Sequence, residues 1–232
     1  LPLPMRLDHV NVYALDDGDS WTVIDTGFNS RKTRGIWAEM MQGPLAGKPI
    51  GRVVVTHHHP DHVGLAGWLQ SDFGAELVTT RTAWLFARML TLDVQEKPAA
   101  ETLTFWREAG MDADLFAKRA EERPFNFADI VAPMPLGFTR IQQGQTIQMG
   151  GRTWDIHMGN GHAPEHATFW SRDDHLVISG DLCYDIGDLK IYEWIREQLD
   201  LTRVPYDVIG GNHDNCPMMA EVFQIEHLIT DD

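Results

Sequence analysis

No run of this 232-residue sequence is apolar for long enough to span a bilayer, which argues against a membrane protein. Only two cysteines occur, Cys183 and Cys216, and they match no zinc-ligand pair spacing. In so long a chain they read as small buried residues rather than as a disulfide framework. Basic side chains are also scarce. Nineteen Lys and Arg stand against 34 Asp and Glu, and the net charge of −15 would repel a polyanion, so no nucleic-acid partner is expected. There is no internal repeat and no low-complexity tract, so neither a repeat array nor a disordered linker is expected. The opening Leu-Pro-Leu-Pro lacks a charged-then-apolar leader, from which a cytoplasmic location is expected. The remainder is ordinary globular material, 43% apolar and 23% charged, long enough to bury a sizeable core.

What is present alternates between strands and helices. Residues 9–15 (HVNVYAL) alternate in polarity, Asp16-Asp17-Gly18-Asp19 is turn chemistry, and residues 21–24 form a second apolar strand. Asp25-Thr26-Gly27 closes that strand, and a helix follows through Trp37 and Met41 until Gly43-Pro44 breaks it. Residues 52–56 (RVVVT) have the β-branched character of a buried strand. Residues 63–69 are helical in period, and residues 76–79 form another strand. Between 81 and 130 the apolar residues Trp84, Leu85, Met89, Phe105, Trp106, Leu115 and Phe116 recur at helical spacing, which predicts two or three inserted helices. Strands return from Arg140 to Ile156 and at 175–179. A helix is expected over 192–199, a strand over 206–210 and a last helix over 218–228. The pattern predicts an α/β sandwich with helices outside two sheets and its ligands at strand ends along one edge.

The densest chemistry is His57-His58-His59-Pro60-Asp61-His62, directly after the RVVVT strand. In an extended segment, residues two apart point the same way, so His57 and His59 can share one ion. Pro60 suits the first helical position, which places Asp61 and His62 in the first turn of a helix, facing a second ion. Neutral imidazoles and carboxylates are what zinc, iron or manganese sites use. A chance polar cluster is the bland alternative, and four ligand-type residues in six positions at a strand–helix junction argue against it. Three more strand ends add Gly161-His162, Gly180-Asp181 and Asn212-His213. One such histidine would ordinarily be structural. Three such turns in a chain that already carries the first loop point to a shared site.

In order, NVY, IDTG, THHHPDH, GHAPEH, SGD and a final strand-borne histidine resemble the metallo-β-lactamase superfamily over almost the whole chain, HxHxDH being the most specific part. The resemblance implies a single four-layer αββα domain over 1–232 with a helical insertion at about 81–130. It implies two divalent ions, zinc foremost, with iron or manganese as alternatives. His57, His59 and His162 would hold the first, Asp61, His62 and His213 the second, and Asp181 would bridge them. Asp25 and Thr56 match positions that orient ligand imidazoles. The implied enzyme is a dinuclear hydrolase in which a metal-bridging hydroxide attacks a small acyl substrate, a lactone, thioester or ester, with Asp61 as general acid/base.

Two departures qualify this pattern. The family's usual GHTPGH reads GHAPEH, so Glu165 stands where a glycine is usual, as a surface carboxylate or as a contact for substrate or metal-bound water. From about residue 178 onward, ISGDLCYDIGD and YDVIGGNHDNC also resemble calcineurin-type metallophosphoesterases. There Asp181 would bridge two metals, Asn212 would ligate one and His213 would sit near the phosphate. That set is incomplete, because its later histidine motifs have no room before residue 232. A chimera joined near Gly180-Asp181 would account for both resemblances. The alternatives to acyl hydrolysis are therefore a phosphodiesterase, an iron-dependent redox protein, or a metal-binding scaffold with little activity. A small-molecule substrate is the expected partner, and oligomeric state is not legible. The insert's aromatics either roof the cleft or only pack the insert down.

Overall fold

The computed structural model describes residues 1–4, 9–172, 174, 176–181, 188–202, 206, 208 and 214–224. Among these, a five-stranded sheet runs in the order β1 (Tyr13–Asp16), β2 (Trp21–Ile24), β3 (Ile50–Val54), β4 (Glu76–Thr79) and β5 (Thr139–Arg140). The first pair is antiparallel, closed by a turn in which Gly18 takes a left-handed φ of 86° and donates to Asp16. From β2 to β5 the pairing is parallel, so the residues following β2, β3 and β4 all emerge at the same edge. Helix α1 (Arg31–Gln42) connects β2 to β3. It is capped by the Ser30 side chain, which accepts from the Thr33 N–H, and it stops at Gly43. Between β3 and β4 lie α2 (Pro60–Val63) and α3 (Ala66–Phe73).

The second sheet is an antiparallel meander of β6 (Thr146–Met149), β7 (Arg152–Gly159), β8 (His166–Ser171) and β9 (Leu176–Ile178). Since β9 runs the same way as β7, the 160–165 turn and the loop after Ile178 open at one end. The Ala167 N–H donates to the Thr56 carbonyl at 2.9 Å, which joins that end to the first sheet just beyond β3.

The valine run explains the layering. Val54 meets Ile24, Val78, Trp154, Ile156 and Phe169 between the sheets, whereas Val53 and Val55 pack with Trp37, Leu65 and Leu69 on the helical side. A parallel strand buried on both faces needs this unbroken apolar run. The insert folds as α4 (Arg81–Leu92), α5 (Ala100–Glu108) and α6 (Ala113–Glu121), with a 3-10 turn at Phe127–Asp129. Helices α7 (Leu189–Thr202) and α8 (Cys216–Phe223) pack on each other through Tyr192, Met219, Val222 and Phe223. Cys216 is a free thiol at the start of α8, and no described helix is long and apolar enough to cross a membrane.

The α/β sandwich is as expected, with differences in detail. The 9–15 strand is only Tyr13–Asp16, with His9 in an isolated bridge to Pro2. The 63–69 helix is split into α2 and α3. Strand β8 was not anticipated, because its His-Ala-Thr-Phe-Trp-Ser sequence follows so closely on a loop rich in Gly and Pro. The strand expected at 206–210 and the end of the last helix fall largely outside the described residues.

Candidate metal centre

Every candidate residue within the described part lies at the edge where both sheets present their strand ends. Thr56 and His57 continue from β3, and both are completely buried. Pro60 opens α2, which places Asp61 and His62 in a first helical turn, as expected, and both are buried. His162 comes from the 160–165 turn and Asp181 from the loop after β9. The donor atoms of His57, His59, His162 and Asp181 all lie within 4.8 Å of one another, a group able to hold a metal ion. One carboxylate oxygen is central: Asp181 Oδ2 is 3.1 Å from His162 Nε2, 3.3 Å from His62 Nε2 and 3.9 Å from His57 Nε2. Asp61 Oδ2 is 3.6 Å from His62 Nε2. His213 and Asn212 lie outside the described residues, as do Cys183, Tyr184, His175 and His227.

The Asp25-Thr26-Gly27 turn holds the histidine loop in place. Asp25, buried and in a left-handed conformation (φ 59°), accepts from the Thr56 N–H at 2.9 Å, the Thr56 hydroxyl at 2.8 Å and His62 Nδ1 at 2.7 Å. Asp is one of the few side-chain residues that tolerates such a backbone. Thr26 Oγ1 donates to the His62 carbonyl and accepts from the Leu65 N–H, and the Gly27 N–H donates to the Asp61 carbonyl. The orienting roles expected of Asp25 and Thr56 have this geometry. The part played by Thr26 was missed, although it directly follows Asp25.

These bonds also fix tautomers. The single Thr56 hydroxyl proton goes to Asp25, so the 2.9 Å contact between Thr56 Oγ1 and His57 Nδ1 needs a proton on Nδ1. The lone pair of His57 is then on Nε2, a buried atom with no hydrogen-bond partner. A buried imidazole nitrogen without a partner is costly, and a metal ion is the partner this donor set suits. Burial, reinforced by the neighbouring imidazoles, holds the His57 pKa well below its usual value and lowers His59 to about 3. Both are thus neutral at neutral pH, the form that binds metal. Burial also opposes charge on His62, but Asp25 and Asp181 together outweigh it and hold its pKa well above the usual value.

Two residues near the cluster turn out to be built into it. His166, the first residue of β8, is buried and stacks on His57 with ring centroids 4.3 Å apart, and burial lowers its pKa to about 4. Gly180 has a φ of 65°, and a Cβ there would lie 2.6 Å from His166 Nε2 and 3.0 Å from Thr56 Oγ1. Only glycine fits. His58 turns away from the cluster and stacks on Phe86 of α4 at 4.9 Å. Trp84 packs the insert down, stacking on Phe138 and donating to the Pro135 carbonyl, while Met89 and Phe105 stay exposed.

A family model described as the metallo-beta-lactamase superfamily matches residues 5–214. The chain belongs to that superfamily. Among curated proteins, a probable metallo-hydrolase of Bacillus subtilis (strain 168), YqjP, is 26% identical over 185 residues, covering 78% of this chain and 55% of its own length. A probable cyclic nucleotide phosphodiesterase of Moraxella catarrhalis (strain BBH18) is 33% identical over 70 residues, 26% of this chain and 25% of that protein. This chain therefore spans about half of the first relative and a quarter of the second. Among solved structures, a beta-lactamase domain protein from Burkholderia ambifaria is 28% identical with a TM-score of 0.68, covering 97% of this chain and 70% of that one. The His/Asp cluster of this superfamily member is a group able to hold a metal ion.

Proposed function

We propose that the site holds two divalent ions, zinc foremost, and hydrolyses a small acyl substrate such as a thioester, lactone or ester. The observation that carries this reading is the position of Asp181 Oδ2, within 3.9 Å of the Nε2 atoms of His57, His162 and His62 together. A single carboxylate so placed reaches both proposed ligand sets, His57, His59 and His162 for one ion and Asp61, His62 and His213 for the other. When bound, such ions supply Lewis acidity and bring the pKa of coordinated water towards about 7. The protein's own residues do the rest. Asp25 and Thr56 hold the imidazoles of His62 and His57 with their lone pairs inward. Asp61, beside His62 Nε2, takes the general acid/base role and passes a proton to the leaving group.

Elemental analysis of protein purified without added metal tests the reading. Near two ions per chain, falling towards one in His213→Ala, is expected. One ion or fewer in the unmodified protein overturns the dinuclear assignment. Turnover of a chromogenic thioester or lactone then supports acyl hydrolysis. The Moraxella relative favours phosphodiester hydrolysis as a second reading, and preferential turnover of bis(p-nitrophenyl) phosphate would select it.

A further inference from the structure

The residue standing where the family's motif usually has glycine faces away from the metal cluster. Glu165 keeps a left-handed backbone, φ 49°, a conformation glycine adopts freely and glutamate only under strain. Its own N–H donates to Asn160 Oδ1 at 3.0 Å, which closes the 160–165 turn across its base. Its carboxylate leaves the turn and accepts from the Thr82 N–H of α4 at 3.1 Å. Hydrogen bonding from Thr82, with Arg140 and Arg81 nearby, holds this carboxyl below the usual carboxylate range.

The first turn of α4 explains the fit. The N-cap Thr80 satisfies the Ala83 N–H through its hydroxyl and leaves the Thr82 N–H to find another acceptor. Glu165 supplies one from outside the helix and places a negative charge at the positive end of a twelve-residue helix. The same helix meets the other histidine loop through Phe86, stacked on His58 at 4.9 Å, and His58 in turn lies 4.9 Å from the His59 ring. Helix α4 thus touches two of the loops that carry proposed ligands, one at an aromatic stack and the other at a charged hydrogen bond.

We infer that Glu165 is a positioning residue: it fastens the His162 turn to α4 and so fixes the imidazole of His162, three residues earlier, in the metal centre. This rests on the metal-site reading above and deepens it, making the helical insertion part of the frame of the centre. Removing a hydrogen-bond partner that holds a ligand in place ordinarily weakens metal binding by about 10-fold or more.

The test is cobalt affinity of the chelator-stripped protein, by competition with a chromophoric chelator, for wild type, Glu165→Ala, Glu165→Gly and Glu165→Gln. Glu165→Ala and Glu165→Gly should bind cobalt about 10-fold more weakly, with an altered visible spectrum, and Glu165→Gln, which keeps the acceptor, should stay within about 3-fold of wild type. In Glu165→Gly, relief of the left-handed backbone offsets the lost tie, so thermal stability of the stripped protein stays near wild type while affinity falls. A merely structural role would move the two together. Wild-type affinity in all three variants, or the same loss in all three, overturns the inference. A wild-type protein that takes up no cobalt instead overturns the metal-site reading and takes this inference with it.

Discussion

From the five-stranded sheet the site takes His57, His59, Asp61 and His62 within six residues, on a loop held by Asp25, Thr26 and Gly27 from the neighbouring strand end. From the four-stranded sheet it takes His162 and Asp181, one from each of two loops. The first contribution is a dense local element whose orienting bonds come from its own sheet. The second has its geometry set by packing between sheets, through the Ala167–Thr56 hydrogen bond, the His166–His57 stack and the close fit of Gly180. One sheet supplies a preorganised loop, and the other closes it. Substitutions on the two sides should therefore fail differently.

The largest effect is expected on the first side. His57→Ala removes an imidazole whose Nδ1 is committed to Thr56 and whose Nε2 faces the cluster. Bound metal, by elemental analysis, should fall to a small fraction of the wild-type content, and any hydrolytic turnover should fall by about a thousandfold. Retention of full metal would break the assignment of this loop as the principal anchor. Asp61→Ala should separate binding from chemistry. It should leave the His57, His59 and His162 ion in place while turnover falls at least about a hundredfold. Full turnover in that variant would remove Asp61 from the proton-transfer role.

A smaller effect is expected from Asp25→Asn, which touches no proposed ligand atom but disturbs three hydrogen bonds at once. The amide cannot accept on both oxygens as the carboxylate does, so the tautomers of His57 and His62 are no longer enforced. Metal affinity should drop by about 10- to 100-fold, with kcat affected in proportion to occupancy. An unchanged affinity would mean that the second sheet alone aligns the imidazoles.

This asymmetry also governs how much could be read from sequence. The HxHxDH element was legible because all its ligands sit at the period of a strand running into a helical turn, so spacing alone reports direction. Strands β2 and β4 were bounded as observed because short apolar runs end there in Asp-Thr-Gly and Thr-Thr-Arg. His162 and Asp181 were legible only as histidine or aspartate beside glycine. Their convergence depends on β7 and β9 running in the same direction, and that requires β8, the strand not anticipated. The direction of Glu165 could not have been read either, since its partner Thr82 lies 83 residues away and belongs to the insert. Trp84 and Phe86 look alike in sequence, yet one is half-buried against Phe138 and the other faces His58.

The finest test compares two histidines whose rings both approach that of His57. The ring of His62, from the first sheet's loop, is 4.2 Å from the His57 ring, and that of His166, from the second sheet, is 4.3 Å away. Their titrations move in opposite directions. His62 is raised well above 6.5 because Asp25 and Asp181 outweigh burial, whereas burial lowers His166 to about 4. In chelator-stripped protein, a raised group stabilises the fold fully below its unfolded pKa and loses that contribution as pH rises through the folded value. A lowered histidine does the reverse. The unfolded chain takes up its proton first, so stability falls as pH drops from about 6.5 to about 4 and changes no further below that. For His166 this amounts to on the order of 3 kcal/mol. Thermal unfolding of the stripped protein between pH 4 and pH 8 should show the advantage of wild type over His166→Gln shrinking on the acid side. The advantage over His62→Gln should shrink instead on the alkaline side. Curves that stay parallel to wild type across this range would mean that neither histidine feels the environment that its position in the two sheets imposes.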